Sequence, residues 1–140
     1  MMNDNFFTVY LNQPLTDRNQ IQRFIADFAN RAEAQELIAL LQQREKVGNT
    51  MIAEHVILPH LESLKIKQSQ ILIVRLAEAI DFDEETPQVQ LVITILLKSG
   101  ESQEVKKKIA QFTRRLADEA FLEELLNIEN VELFYQKLEE

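Results

Sequence analysis

The spacing of apolar residues along the chain predicts helices near both ends and strands in the middle. Residues 5–11 predict a short strand or an irregular packed arm, which Pro14 ends. A helix follows a cap at Thr16 or Asp17, because four apolar residues recur there with the period of one helix face. These residues are Ile21, Phe24, Ile25 and Phe28. A second helix is predicted from about residue 32 to residue 43, with an apolar stripe at Leu37, Ile38 and Leu41.

Three apolar runs predict strands at residues 52–58, 70–76 and 89–97. Pro59 ends the first run, and the other two are apolar almost throughout, which is typical of strands buried on both faces. Helices capped by Ser102 and Asp118 and a final amphipathic helix over residues 131–138 complete the chain. This order predicts the α/β class, as a three-layer sandwich with a central sheet and helices on both faces.

Composition restricts the possible functions. The 140 residues, of which 46% are hydrophobic, suit a single domain over 1–140 with a real core. The net charge of −8 argues against nucleic acid as a partner. The absence of cysteine excludes disulfides, thiolate metal sites and a cysteine nucleophile. The apolar run at residues 91–97 is too short to span a bilayer, and the N-terminus lacks signal-peptide features. We expect a soluble, cytoplasmic protein.

The candidate chemistry lies between Arg44 and His60. A charged helix end, Gly48 and a short apolar run lead to Pro59, so a rigid turn holds the His60 imidazole at the end of a predicted strand. Histidine supplies a nucleophilic nitrogen, and arginine supplies a planar pair of donors that fits phosphate oxygens. His60 and Arg44 are therefore candidate catalytic residues for phosphoryl transfer. Each residue also has a purely structural alternative. His60 can pack at the end of its strand, and Arg44 can stabilise the end of its helix through the helix dipole.

This segment resembles the enzyme IIA domains of the mannitol/fructose class in the bacterial sugar phosphotransferase system. The matching positions are Arg44, Glu45, Gly48, Thr50, Ile52, Val56, Leu58, Pro59 and His60. The resemblance implies a mixed sheet and a phosphocarrier that accepts a phosphoryl group from HPr on His60. It further implies transfer to an enzyme IIB that serves a membrane permease, without metal or organic cofactor. With two histidines in the chain, a His55/His60 metal site is also not expected.

Three further residues are candidate phosphate ligands. Thr50 can donate its hydroxyl or its backbone N–H to the phosphoryl group, or it can simply satisfy its own turn. Asn49 stands where the family often has serine. Glu54 falls on the side of His60 if the strand is regular, and its carboxylate would then orient the ring; otherwise it is an exposed edge carboxylate. Glu45 is expected to be a structural anchor paired with a nearby cation.

Departures from the family pattern leave two further hypotheses open. The family carries a second histidine at the start of the helix after the last strand, and residues 99–105 contain none. Ser102, backbone N–H groups of that helix, or His55 on a bent strand remain as substitutes. The alternative to a transport phosphocarrier is a regulatory module in which phosphorylation of His60 is a signal, and a third is a scaffold that no longer takes phosphate.

The residues around the candidate histidine also predict a docking surface. Four apolar side chains cluster in sequence near His60, and they cannot all enter one core. They are Met51, Val56, Leu58 and Leu61. We expect some of them to form an exposed apolar patch for two successive protein partners.

Overall fold

A computed structural model describes residues 6–140, so residue 5 of the predicted N-terminal strand lies outside the described part of the chain. The strands are β1 (Phe7–Gln13), β2 (Met51–Ala53), β3 (Val56–Ile57), β4 (His60–Ser63), β5 (Gln70–Ile80) and β6 (Val89–Lys98). The helices are α1 (Arg18–Asn30), α2 (Ala34–Glu45), α3 (Gln103–Arg115), α4 (Glu119–Asn127) and α5 (Val131–Glu139). A short 3-10 turn, Arg31–Glu33, joins α1 to α2.

The strands form one mixed sheet in the order β1-β5-β6-β3-β2, and β4 pairs with β6 beyond the end of β3. β1 runs parallel to β5, and β3 and β4 both run parallel to β6. β5 and β6 are antiparallel, as are β2 and β3. The mixed sheet expected from the resemblance is confirmed.

Two apolar cores lie on the two faces of this sheet, which confirms the predicted three-layer sandwich. α1 and α2 cover one face and bury Ile21, Ile25 and Leu37 against it. The α3, α4 and α5 helices cover the opposite face and bury residues such as Phe112 and Phe134. β5 and β6 are buried along most of their length because they lie between the two cores. Among residues 6–140, no helix is both long and apolar enough to cross a membrane.

The predicted helix starts are confirmed by their capping hydrogen bonds. Of the two candidates before α1, Asp17 is the cap, because its carboxylate accepts from the Gln20 N–H at 2.8 Å. The Ser102 hydroxyl accepts from the Val105 N–H at 3.3 Å and begins α3. Such a cap is worth about 1 kcal/mol to the helix that it begins.

The predicted single strand over residues 52–58 is wrong. The chain forms a β2–β3 hairpin there, with a tight turn at Glu54 and His55. His55 has φ +72, a left-handed conformation that histidine adopts more readily than most side chains. After the turn, Val56 and Ile57 bury their side chains in opposite cores. Pro59 then separates β3 from β4, and both segments continue along the same edge of β6.

Candidate active site

His60 is the first residue of β4, and its side chain is exposed. Its neighbour Leu61 enters the core formed with α1 and α2, so His60 points to the opposite face, which α3 to α5 cover. Its partner in β6, Ile95, also belongs to the core on that face. The Ile95 N–H donates to the Pro59 carbonyl at 2.9 Å and ties the residue before His60 to the sheet. A firmly held backbone thus presents an accessible imidazole.

Arg44 lies in the last turn of α2 and is exposed. The helix ends in hydrogen bonds from the Val47 N–H to the Arg44 carbonyl (3.1 Å) and from the Gly48 N–H to the Glu45 carbonyl (3.2 Å). Gly48 has φ +156, which L side chains rarely adopt. The Arg44 Nη1 donates to the Gly48 carbonyl at 3.0 Å, which leaves the other guanidinium donors without partners among the residues that the structure describes.

The turn after α2 is attached to the strand that leads to His60. The Leu58 N–H donates to the Thr50 carbonyl at 2.9 Å, and Met51 pairs with Ile57 in the β2–β3 hairpin. The turn from Arg44 to Thr50 therefore ends beside Leu58, two residues before His60. The Thr50 side chain is half-buried at this junction.

Asn49 is exposed in the same turn, where its side-chain carbonyl accepts from the Met51 N–H at 3.0 Å. This local bond occupies the acceptor of Asn49, so its side-chain amide remains as a donor. Asn49 therefore stabilises the turn that leads to β2 through this hydrogen bond.

Glu54 and His55 lie together, away from His60. The Glu54 Oε1 is 3.0 Å from the His55 Nε2, and Glu54 lines a cavity of about 490 Å³ between β2 and α4. The His55 carbonyl accepts from the Leu91 N–H, whereas His60 pairs with Ile95. Four residues of strand span about 13 Å. Glu54 is thus the exposed edge carboxylate of the second alternative, and neither it nor His55 is beside His60 along the sheet.

Ser102 begins α3 on the face to which His60 points. Residues 99–102 follow β6 in the chain and start beside the end of β4, because the Ser99 N–H donates to the Ser63 carbonyl at 3.2 Å. The Ser102 N–H donates to the Glu101 carboxylate at 3.0 Å, so this helix N–H is already occupied. Hydrogen bonds from the Ser69 hydroxyl and then from the Ser102 N–H lower the pKa of Glu101. The Ser102 hydroxyl proton remains available as a donor near the start of α3.

Glu45 is half-buried against α1 and has the environment of the structural anchor predicted for it. Both carboxylate oxygens accept from the Gln22 Nε2 at 2.9 Å, and the Arg18 Nη1 lies 4.0 Å from Oε1. Burial raises the pKa of the Glu45 carboxyl, and the Gln22 hydrogen bond and Arg18 act in the opposite direction. Sequence reasoning missed Gln22, although it shares a helix face with Ala26 and Ala29, at i+4 and i+7, and that spacing indicates burial.

None of the four residues near His60 from which an exposed apolar patch was expected is in the exposed class. Leu61 and Val56 are 2% and 0% exposed, because the alternation along β3 and β4 directs them into the two cores. Met51 and Leu58 are half-buried. The exposed apolar side chains nearby in sequence are instead Val47, Ile52 and Leu64.

The sequence matches a known family over nearly its whole length. Residues 6–140 match the family described as phosphoenolpyruvate-dependent sugar phosphotransferase system, EIIA 2. The multiphosphoryl transfer protein of Shigella flexneri is 32% identical over 97 residues, which make up 69% of this chain and 12% of that protein. The chain therefore spans only a small part of that relative. The nitrogen regulatory protein of Bradyrhizobium diazoefficiens is 31% identical over 100 residues, or 71% of this chain and 65% of that one.

Solved structures share the fold. The nitrogen regulatory protein IIA-Ntr of Neisseria meningitidis superposes with a TM-score of 0.78 at 17% identity, covering 95% of this chain and 96% of that chain. Enzyme IIA mannitol of Escherichia coli, in complex with phosphorylated enzyme IIB, gives 0.71 at 19% identity, covering 95% and 98%. The chain belongs to the EIIA type 2 phosphocarrier family of the phosphoenolpyruvate-dependent sugar phosphotransferase system, the mannitol/fructose class.

Proposed function

We propose that the chain carries a phosphoryl group on His60, received from HPr and passed to an enzyme IIB. The observation that supports this best is the attachment of the Arg44–Thr50 turn to the strand of His60 through the Thr50–Leu58 hydrogen bond. This attachment ends the turn that begins with Arg44 at Leu58, two residues before the exposed His60.

The chemistry that we propose is an in-line displacement at phosphorus. A ring nitrogen of His60 donates its lone pair to form the N–P bond, while the bond from phosphorus to the donor's leaving atom breaks. The leaving atom keeps the electron pair of that bond, and charge develops on the three equatorial oxygens. The protein's contribution is therefore to position the group and to stabilise that charge.

Arg44 is the residue best suited to stabilise the equatorial oxygens. One of its donors is bound to the Gly48 carbonyl, and the others can form charge-assisted hydrogen bonds to the phosphoryl group. The Thr50 hydroxyl and the Asn49 side-chain amide are additional neutral donors from the same turn. We assign Glu54 no direct part, because its carboxylate lies beside His55. The proposal requires neither a metal nor an organic cofactor.

Transport is our first candidate for the physiological role. One structural relative is an enzyme IIA for mannitol in complex with a phosphorylated enzyme IIB. By analogy, this chain would deliver its phosphoryl group to an enzyme IIB of a membrane permease in the cytoplasm. The chain contains no cysteine, so a cysteine acceptor would have to belong to the partner.

Regulation is the second candidate, and the region around Ser102 favours it. Residues 99–105 contain no histidine, and the Glu101 carboxylate beside Ser102 adds negative charge at the start of α3. Both features disfavour a phosphoryl group at the start of α3, so they favour a slow phosphorylation signal over rapid transfer. Two relatives carry the name of nitrogen regulatory protein.

Transfer in two stages tests the proposal. The protein is incubated with phosphorylated HPr, and its intact mass is measured; a mass that never rises by one phosphoryl group would contradict the phosphocarrier function. The phosphorylated protein is then separated and mixed with an enzyme IIB of the mannitol/fructose class. Passage of the label to enzyme IIB supports transport, whereas label that stays on this chain supports regulation.

A further inference from the structure

The last residue of α2, Glu45, carries a negative charge where the fold disfavours one. The C-terminus of a helix is the negative end of its dipole, so a carboxylate there is destabilising. The Glu45 side chain is only 16% exposed, and burial raises its pKa. The Asp83 carboxylate acts in the same direction. Glu45 is thus electrostatically unfavourable at this position and yet belongs to the family motif, which indicates a role other than helix stability.

A buried side chain of α1 compensates this charge. Gln22 is 1% exposed, and its Nε2 lies 2.9 Å from each carboxylate oxygen of Glu45. The Gln22 Oε1 accepts from the Gln42 Nε2 at 3.5 Å, so the buried amide is satisfied on both sides. Arg18, with a guanidinium nitrogen 4.0 Å from the carboxylate, and Arg44 add positive charge nearby.

The bond from Gln22 to Glu45 anchors the start of the Arg44–Thr50 turn. The Glu45 carbonyl accepts from the Gly48 N–H at 3.2 Å, and the Gly48 carbonyl accepts from the Arg44 guanidinium at 3.0 Å. The other end of the turn is tied to Leu58 through Thr50. The turn is therefore fixed to α1 at one end and to the sheet at the other, and Arg44 lies at the α1 end.

We propose that Gln22 is a positioning residue for phosphoryl transfer, which holds Glu45 from α1 and thereby sets the place of Arg44 relative to His60. This inference rests on the proposed function. Gln22 touches neither Arg44 nor His60 in any hydrogen bond of the described residues, so it acts through the helix end. Because catalytic geometry is sensitive to displacements near 1 Å, loss of the anchor should reduce kcat by about 10- to 100-fold.

The test compares Gln22→Met with Gln43→Met. Methionine keeps the length of the side chain and removes the amide, and Gln43 is an exposed residue on the same turn of α2 as Arg44. Transfer from phosphorylated HPr is measured at several HPr concentrations, at a temperature where all variants remain folded. We expect Gln22→Met to lower kcat with little change in KM, and Gln43→Met to match the wild type.

A second readout does not depend on phosphoryl transfer. Hydrogen exchange of the Gly48 N–H reports whether the turn keeps its bond to the Glu45 carbonyl, and we expect faster exchange in Gln22→Met only. The Glu45→Gln variant should retain phosphoryl transfer, because the Gln22 amide can still donate to the side-chain carbonyl of a glutamine at position 45.

Three outcomes would overturn the positioning role. They are unchanged kcat in Gln22→Met, unchanged Gly48 exchange, or a loss in Glu45→Gln as large as that in Gln22→Met. Failure of the proposed function looks different, because the wild type and Gln43→Met would then not be phosphorylated either.

Discussion

Replacing Arg44 with lysine should impair phosphoryl transfer while leaving the fold intact. Arg44 is exposed, and the one hydrogen bond of its side chain among the described residues goes to the Gly48 carbonyl. A lysine ammonium keeps the positive charge at the end of α2 and can make that same bond. It lacks the planar pair of donors that grips two phosphoryl oxygens at once.

The size of the effect follows from the donors that are lost. With one guanidinium donor directed at Gly48, the fork has donors left for the phosphoryl group, and lysine replaces them with one compact charge. A hydrogen bond to a charged group is worth about 1.5–3 kcal/mol. At about 1.4 kcal/mol per factor of ten, loss of one such bond in the transition state slows transfer by roughly 10- to 150-fold. Surface exchanges of this kind change the free energy of unfolding by only about 0.5 kcal/mol.

The assay is single-turnover transfer from phosphorylated HPr, followed by rapid quench and intact mass, with thermal unfolding measured in parallel. Arg23→Lys is the matched control, because Arg23 is an exposed arginine of α1 that pairs with Asp27 at 3.9 Å. Arg44→Lys should be slow and Arg23→Lys normal. Equal rates in both variants would show that Arg44 only ends its helix, and a large fall in melting temperature would show that its role is structural.

Further predictions concern the core, the missing histidine and the pH dependence of stability. Leu61→Ala should lower the free energy of unfolding by about 2–5 kcal/mol in denaturant titrations, because Leu61 is only 2% exposed. Leu64→Ala should lower it by less than about 0.5 kcal/mol, because Leu64 is 73% exposed. Equal losses in the two variants would refute the core position of Leu61. Ser102→His should speed transfer to His60; an unchanged rate and phosphohistidine lifetime would refute this. The pKa of the Glu45 carboxyl is raised in the folded protein, so its ionisation lowers the free energy of unfolding as pH rises above 4.5. Glu45→Gln should therefore raise the free energy of unfolding more at pH 7 than below pH 4.5. A gain that is the same at both pH values would show that ionisation of Glu45 does not destabilise the fold.

The sheet and the helices could be predicted from sequence because their signals are local. The apolar runs of β5 and β6 and the cap at Ser102 appear in a few consecutive residues. The β2–β3 hairpin has no such signal, since its turn at Glu54 and His55 contains no glycine or proline. Tertiary bonds hold it instead: the Gln90 and Leu91 N–H groups donate to the His55 carbonyl, each at 2.9 Å.

The candidate site divides in the same way. Arg44 and His60 were identified from their spacing within one continuous segment of the family pattern. Gln22 lies 23 residues before Glu45 in another helix, and its pairing depends on how α1 packs against α2. Glu54 takes the exposed position of the second alternative, because a turn interrupts the strand and changes the direction of the side chains around it.

The most direct test of the central claim is which histidine becomes phosphorylated. Wild type, His60→Ala and His55→Ala are incubated with phosphorylated HPr, and intact mass is measured under conditions that preserve phosphohistidine. His60 is exposed at the start of β4, whereas His55 is bound to Glu54 and to the Gln88 carbonyl at the far end of the hairpin. We expect the His55→Ala variant to gain one phosphoryl group as the wild type does, and the His60→Ala variant to gain none. A phosphoryl group on His60→Ala that disappears in His55→Ala would contradict the account.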